Sequence, residues 1–128
     1  MDQDNNELRE LIQQGESLTL EFKSDIKSLP DRDLIAAVVS LANTDGGSLL
    51  LGVEDDGEVT GLHRSHLNMQ GLAAFIANKT TPSVSIEVIE HNINDCVVAQ
   101  IVVQKSRQLI STSEGLLQRR RLKADGTP

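Results

Sequence analysis

The spacing of apolar residues predicts strands and helices along most of the chain. Leu18, Leu20 and Phe22 alternate with polar residues, which is the two-residue period of a half-buried strand. Residues 34–42 are apolar almost all round, and this pattern predicts a helix buried on most of its faces. Residues 48–53 form a continuous apolar run, which is typical of a strand covered on both sides. The first half of the chain therefore predicts a strand, a helix and a second strand.

The second half of the chain predicts another helix and a hairpin. Ser65 is a suitable N-cap for a helix that runs to about Lys79. Apolar strands over 84–88 and 96–103 flank a turn and predict a hairpin, and 116–122 reads as a last strand. Together these elements predict an α+β fold: a single compact domain with a mixed β-sheet and two main helices.

The two ends of the chain differ from this central pattern. Apolar residues three and four positions apart predict a short amphipathic helix over 1–14, stopped by Gly15. Residues 124–128 have the composition of a linker. We therefore expect an N-terminal helix at 1–14, one domain over 15–123, and a linker at 124–128 that leads to a further C-terminal part.

Composition excludes several classes of protein. The aromatic residues are Phe22 and Phe75, 2% of the chain, which is too few for a platform that stacks several bases. The single cysteine, Cys96, excludes an internal disulfide and a multi-cysteine zinc site. His63 and His66 are expected to be solvated loop residues, because the helix is predicted to start between them.

The sequence also carries no signal for a membrane or for export. No apolar run approaches the ~20 residues that a membrane-spanning helix needs. The N-terminus lacks the basic and then apolar pattern of a secretory signal. We therefore expect a cytoplasmic protein with no membrane partner.

The net charge of −7 hides an uneven distribution. Residues 1–104 hold six Lys and Arg against 17 Asp and Glu, whereas residues 105–128 hold six against two. A basic segment on an acidic body can bind a polyanion such as nucleic acid despite the overall charge. Two alternatives stay open: the charges protect an edge strand from aggregation, or they pair with acids of the body. The candidate nucleic-acid-binding residues are Arg119, Arg120, Arg121, Lys123, Lys23 and Arg107.

Three segments of the chain resemble the Schlafen-type AlbA domain. They are ESLTLEFK at 16–23, VSLANTDGG at 39–47 and LLGVEDDGEVTG at 50–61. The resemblance implies an Alba-like fold and a DNA-binding domain of a bacterial or archaeal transcriptional regulator, with DNA or RNA as the partner. The chain departs from the family pattern at 106–110, where the usual aromatic element is missing.

The resemblance also implies a second function. Related domains of animal Schlafen proteins cleave transfer and ribosomal RNA with two glutamates, an aspartate and a divalent metal. By this similarity Glu16, Glu21 and Asp55 would be the catalytic and metal-binding residues, with Mg²⁺ or Mn²⁺ as the cofactor. Glu16 and Glu21 can converge only if 15–17 is a turn, because an odd separation on one strand places them on opposite faces. The alternative is that these acids are simply solvated.

We therefore carry three functions forward from the sequence. The first is nucleic-acid binding by a non-enzymatic domain through the basic C-terminal strand. The second is a Schlafen-like, metal-dependent ribonuclease. The third is an interaction or dimerisation module, in which apolar strands around 97–103 pair across two subunits of a homodimer.

Overall fold

A computed structural model gives the fold of residues 2–112, the part of the chain that the structure describes. It contains three α-helices, six strands and one 3-10 turn. The helices are α1 (Asp2–Gln14), α2 (Asp31–Ala42) and α3 (Met69–Asn78); the strands are β1 (Leu20–Lys23), β2 (Gly47–Leu51), β3 (Thr80–Thr81), β4 (Ile86–Ile93), β5 (Cys96–Val103) and β6 (Ser111–Thr112); the 3-10 turn is Arg64–His66. The predicted strand at 116–122 and linker at 124–128 lie outside the described residues.

The main sheet is mixed, and the predicted α+β class is confirmed. Its four strands run in the order β1-β2-β5-β4. β1 and β2 are parallel and are joined through α2, whereas β2 pairs with β5, and β5 with β4, in antiparallel fashion. Short strands β3 and β6 form a separate antiparallel pair.

The position of β5 corrects one expectation. The apolar residues 97–103 lie in an interior strand, with β2 on one edge and β4 on the other. Both rows of its backbone hydrogen-bonding groups are therefore used within the sheet, and this strand has no free edge to pair with a second subunit. Of the main sheet's strands, β1 and β4 lie at its two edges.

Apolar side chains cover the sheet on both faces. Leu49 and Leu51 point into a core formed with α2 and α3, whereas Leu50 points into a second core that contains Leu8 of α1. Successive residues of a strand face opposite sides. This two-sided cover explains why β2 is a continuous apolar run rather than an alternating one.

The predicted hairpin is confirmed. β4 and β5 pair in register from Ile86↔Val103 to Ile93↔Cys96. The two residues between them, Asn94 and Asp95, have φ of 53° and 62°. Such a pair of positive φ angles matches the right-handed twist of the strands, and asparagine and aspartate tolerate it better than most residues.

The predicted start of the second helix is wrong. Ser65 lies in the 3-10 turn, and α3 begins four residues later at Met69. Its N-cap is Asn68, whose side-chain oxygen accepts a hydrogen bond from the Gly71 amide at 3.0 Å. Because α3 begins later than predicted, the segment before it lies outside the helix and contributes side chains to a cleft.

Candidate functional site

Most of the basic residues expected to bind nucleic acid lie beyond residue 112. Arg119, Arg120, Arg121 and Lys123 are outside the described residues, and their role stays a prediction.

Lys23 and Arg107 are described, and they lie on different elements. Lys23 is the last residue of β1, and its Nζ is 3.3 Å from Oε1 of Glu21 on the same strand. Arg107 is exposed in the segment after β5. Glu21 and Lys23 are two positions apart, so both side chains leave the strand on one face. The Lys23 charge is therefore partly compensated by its neighbour.

Glu16 folds back against β1. The chain turns tightly at Ser17–Leu20, where the Ser17 amide donates to the Leu20 carbonyl at 2.9 Å. The Glu16 Oε2 atom accepts a hydrogen bond from the Phe22 amide at 3.2 Å. Because β1 is an edge strand, this carboxylate takes the place of a neighbouring strand. The turn thus returns Glu16 to the strand that carries Glu21.

An acidic cleft lies beyond the carboxyl ends of the parallel strands β1 and β2. It is lined by Ser24, Glu54, Asp55, Asp56 and Glu58. Two of these acids have local partners: Glu54 Oε2 accepts from the Thr60 hydroxyl at 2.6 Å, and Asp56 Oδ1 from the Glu58 amide at 2.9 Å.

The structure does not group the three carboxylates implied by the family resemblance as metal ligands. Asp55 is exposed in the acidic cleft, whereas Glu16 and Glu21 are not among its lining residues. Within residues 2–112, no three His, Cys, Asp or Glu side chains are placed so that they could hold one metal ion.

A second cluster, centred on Asp25, was not predicted from the sequence. Asp25 follows β1 by two residues and is fully buried. Its carboxylate accepts hydrogen bonds from the amides of Leu29 and His63, both at 2.7 Å, and from Nδ1 of His66 at 2.9 Å. A buried carboxylate requires such partners, because its loss of water is otherwise strongly unfavourable.

The Asp25 contact corrects the interpretation of the two histidines as solvated. The His66 side chain is only 10% exposed. The Nδ1 atom of His63 lies 2.9 Å from the Ser65 hydroxyl and accepts from the Ser65 amide at 3.1 Å. The Ser65 hydroxyl in turn lies 2.7 Å from the Ser28 hydroxyl.

His66, Ser28 and Ser65 line one cleft of about 340 Å³. The cleft lies between the segment before α2 and the first turns of α3. Its other lining residues are Asp31, Asn68, Gly71, Leu72 and Phe75. We call it the His66 cleft.

No helix within residues 2–112 has both the length and the apolar character needed to cross a membrane.

Comparison with solved structures shows the same fold in two bacterial proteins. The crystal structure of the DIP2311 protein from Corynebacterium diphtheriae matches with a TM-score of 0.67 and 22% identity. The match covers 81% of this chain but 21% of that one, so the chain spans about a fifth of that protein. The solution structure of the N-terminal domain of a RecG-related protein, named as an ATP-dependent DNA helicase, from Nitrosomonas europaea matches with a TM-score of 0.63 and 22% identity. This match covers 91% of this chain and 90% of that domain.

Comparison with protein families gives a match over most of the chain. The model of the family described as Schlafen, AlbA_2 matches residues 16–123. This range includes β1, the turn into β2 and the acidic segment after β2, which carry the three motifs noted in the sequence. The chain belongs to the Schlafen AlbA_2 family.

Proposed function

We propose that this domain binds nucleic acid, as part of a DNA-binding regulator, through the phosphate backbone and the arginines at 119–121. Family membership supports an association with nucleic acid, as does the fold shared with a domain of a protein named as a DNA helicase. The observation that carries the proposal is the charge distribution. Residues 1–104 have an excess of acids and residues 105–128 an excess of cations, which favours the C-terminal segment as the source of the phosphate-binding surface.

Two described contacts narrow the candidate cations to the arginines beyond residue 112, because one acts on Lys23 and the other on Lys105, a lysine of the C-terminal segment itself. Lys23 is paired with Glu21, and the Lys105 Nζ lies 3.8 Å from Oδ1 of Asp45. These cations are compensated by acids of the body. Arginine suits the remaining role, because its guanidinium stays charged and forms paired hydrogen bonds with phosphate oxygens.

The proposal predicts weak binding with little base discrimination, since phosphate contacts carry no sequence information. The test is fluorescence anisotropy with labelled duplex DNA and duplex RNA of equal length at low salt. Arg119→Gln/Arg121→Gln is expected to weaken binding by about tenfold or more. The control, Arg9→Gln/Lys27→Gln, removes the same charge from the body and is expected to change affinity less than about twofold. Equal losses in the two variants, or no binding by the unmodified protein, would contradict the proposal.

A metal-dependent ribonuclease is the second candidate. One observation favours it: Ser24, next to β1, and Asp55, after β2, line the same acidic cleft. Parallel strands often place reactive groups at their shared carboxyl ends. Mg²⁺ and Mn²⁺ prefer carboxylate oxygens, but within residues 2–112 no three acids are placed to hold one ion, so the described cleft alone does not form a metal site.

The ribonuclease candidate predicts Mn²⁺-dependent cleavage of structured RNA. Asp55→Asn, in the acidic cleft, is expected to abolish the cleavage, whereas Glu87→Gln on β4 should leave it unchanged. Gel analysis of end-labelled transfer RNA measures both. Intact RNA after long incubation with Mn²⁺ would reject this candidate while leaving the binding proposal standing.

A further inference from the structure

The His66 ring has one nitrogen committed to the protein and one available to a ligand. Nδ1 contacts the Asp25 carboxylate, whereas Nε2 has no hydrogen-bond partner within residues 2–112. His66 lines the His66 cleft and Asp25 does not, so the ring lies between the buried carboxylate and the cleft. Within the described residues, this ring nitrogen of a side chain 90% removed from water has no partner, and a ligand in the cleft can supply one.

The Asp25 contact selects the tautomer of the neutral His66 ring. A carboxylate accepts hydrogen bonds, so the proton of the neutral imidazole lies on Nδ1. Nε2 of the neutral ring is then an acceptor held in one orientation by the buried acid. A ligand of the neutral ring must therefore offer an N–H or O–H group at this position.

The two serine hydroxyls point to the same kind of ligand. Nδ1 of His63 accepts from the Ser65 amide, so it carries no proton and also accepts from the Ser65 hydroxyl. The Ser65 oxygen then accepts from the Ser28 hydroxyl. Both serine protons are used within the protein, and what remains for a ligand is oxygen lone pairs. The Asp31 carboxylate, also in the lining, adds further acceptors.

The rest of the cleft suits a small planar group. Leu72 and Phe75 provide an apolar wall with one aromatic ring. The volume of about 340 Å³ is at the small end of the ~300–1,000 Å³ typical of small-molecule sites. Among the described residues, the lining contains an acid but neither Lys nor Arg, which disfavours a phosphate inside the cleft.

We propose that the His66 cleft binds one unpaired nucleobase through its N–H donors, with the base against Phe75. The Watson–Crick edge of guanine fits best, because it presents two adjacent N–H donors to an acceptor wall, and proteins that bind unpaired bases combine such edge contacts with stacking. The proposal rests on the proposed nucleic-acid function only for the source of the base; the chemistry of the cleft is independent of it.

The test uses free nucleosides, which carry no phosphate. Guanosine and inosine, which lacks the exocyclic amino group, are titrated into ¹⁵N-labelled protein and followed by NMR of the histidine rings and backbone amides. Guanosine is expected to shift His66 Nε2 and the Gly71 amide saturably, and inosine to bind at least fivefold more weakly. His91, whose Nε2 contacts Gln100 Oε1 at 2.8 Å on the sheet, is the internal control and should not respond.

Two variants keep the Asp25–His66 contact intact. Phe75→Leu preserves an apolar side chain but removes the ring, and guanosine affinity is expected to fall about fivefold or more. Ser65→Ala removes a hydrogen-bond acceptor and should reduce the difference in affinity between guanosine and inosine. The inference would be overturned if guanosine caused no change in the chemical shift of His66 Nε2, or if both nucleosides bound with equal affinity. It would also be overturned if inorganic phosphate alone caused the same shift as guanosine.

The experiments distinguish a failure of base binding in the His66 cleft from a failure of phosphate binding by the C-terminal segment. Guanosine binding should be unaffected by Arg119→Gln/Arg121→Gln and by salt, whereas polymer binding should respond to both. Polymer binding without any nucleoside response rejects the base site alone. Nucleoside binding without polymer binding rejects the phosphate-binding role of the C-terminal segment alone.

Discussion

At the scale of single residues, Asp25 fixes the local arrangement. Its two oxygens accept from the segment that leads into α2, at Leu29, and from the segment that leads into α3, at His63 and His66. One buried carboxylate therefore joins the entrances of two helices. It also orients the His66 ring, which lines the His66 cleft. Asp25 therefore contributes both to the stability of the fold and to the inferred binding site.

Asp25→Ala tests how much this junction contributes to stability. The substitution leaves three buried or partly buried N–H donors without a partner, at a typical cost of ~1–3 kcal/mol for each unsatisfied group, less what water recovers. We expect the free energy of unfolding in urea to fall by about 2–4 kcal/mol. The control is Asp45→Ala, which removes an exposed acid with a 3.8 Å ion pair and should change it by less than about 1 kcal/mol. Similar small losses in both variants would show that Asp25 has no special structural role.

The sequence does not predict the cluster centred on Asp25. Asp25 lies 38 residues from His63 and 41 from His66, and no spacing rule connects such positions. A short polar segment between strand and helix also has the ordinary composition of a solvated loop. Only the folded arrangement of β1, α2 and α3 brings the three residues together.

At the scale of elements, the close approach of β1 and β2 depends on Gly47. Its φ is +132°, a value that favours glycine, and a Cβ built there would lie 2.1 Å from the Thr19 carbonyl oxygen. The next amide, of Ser48, donates to that same carbonyl at 2.9 Å. A side chain at 47 would therefore push apart the strands that carry the family motifs.

Gly47→Ala is expected to lower the free energy of unfolding by about 3 kcal/mol or more, because backbone strain and a backbone clash act together. Gly15→Ala is the matched control: its φ of +79° also favours glycine, but no atom lies within 4 Å of the added Cβ. It should cost only about 1 kcal/mol. Thermal or urea unfolding measures both. Equal losses of unfolding free energy in the two variants would mean that the strained φ, and not the close approach to Thr19, causes the loss at position 47.

Elements with a strong hydrophobic pattern can be predicted from the sequence, whereas the start of a helix that depends on a single N-cap residue cannot. The apolar run of α2 and the paired strands β4 and β5 follow from hydrophobic spacing alone. The start of α3 was misplaced because Ser65 and Asn68 are both good N-caps, and the local sequence does not choose between them. The choice depends on the 3-10 turn, in which Ser65 contacts Ser28 across the cleft.

At the scale of the whole molecule, the fold separates structural and charge roles. Helices cover both faces of the sheet, so the apolar residues are used in two cores. Four acids of the body line a cleft beyond β1 and β2, and two others lie close to lysines. The sequence alone reveals the charge asymmetry, because counting needs no geometry. It does not reveal which cations are compensated, because those pairs depend on the tertiary fold and on side-chain reach.

The salt dependence of binding tests the central claim most directly. Each phosphate contact releases counterions and contributes about 0.9 to the slope of log affinity against log salt for duplex DNA. The unmodified chain is expected to lose affinity steeply between low and physiological salt, and Arg119→Gln/Arg121→Gln should reduce the magnitude of the slope by about 2. A slope that is unchanged in this variant, or affinity that does not respond to salt at all, would contradict phosphate binding by the C-terminal arginines.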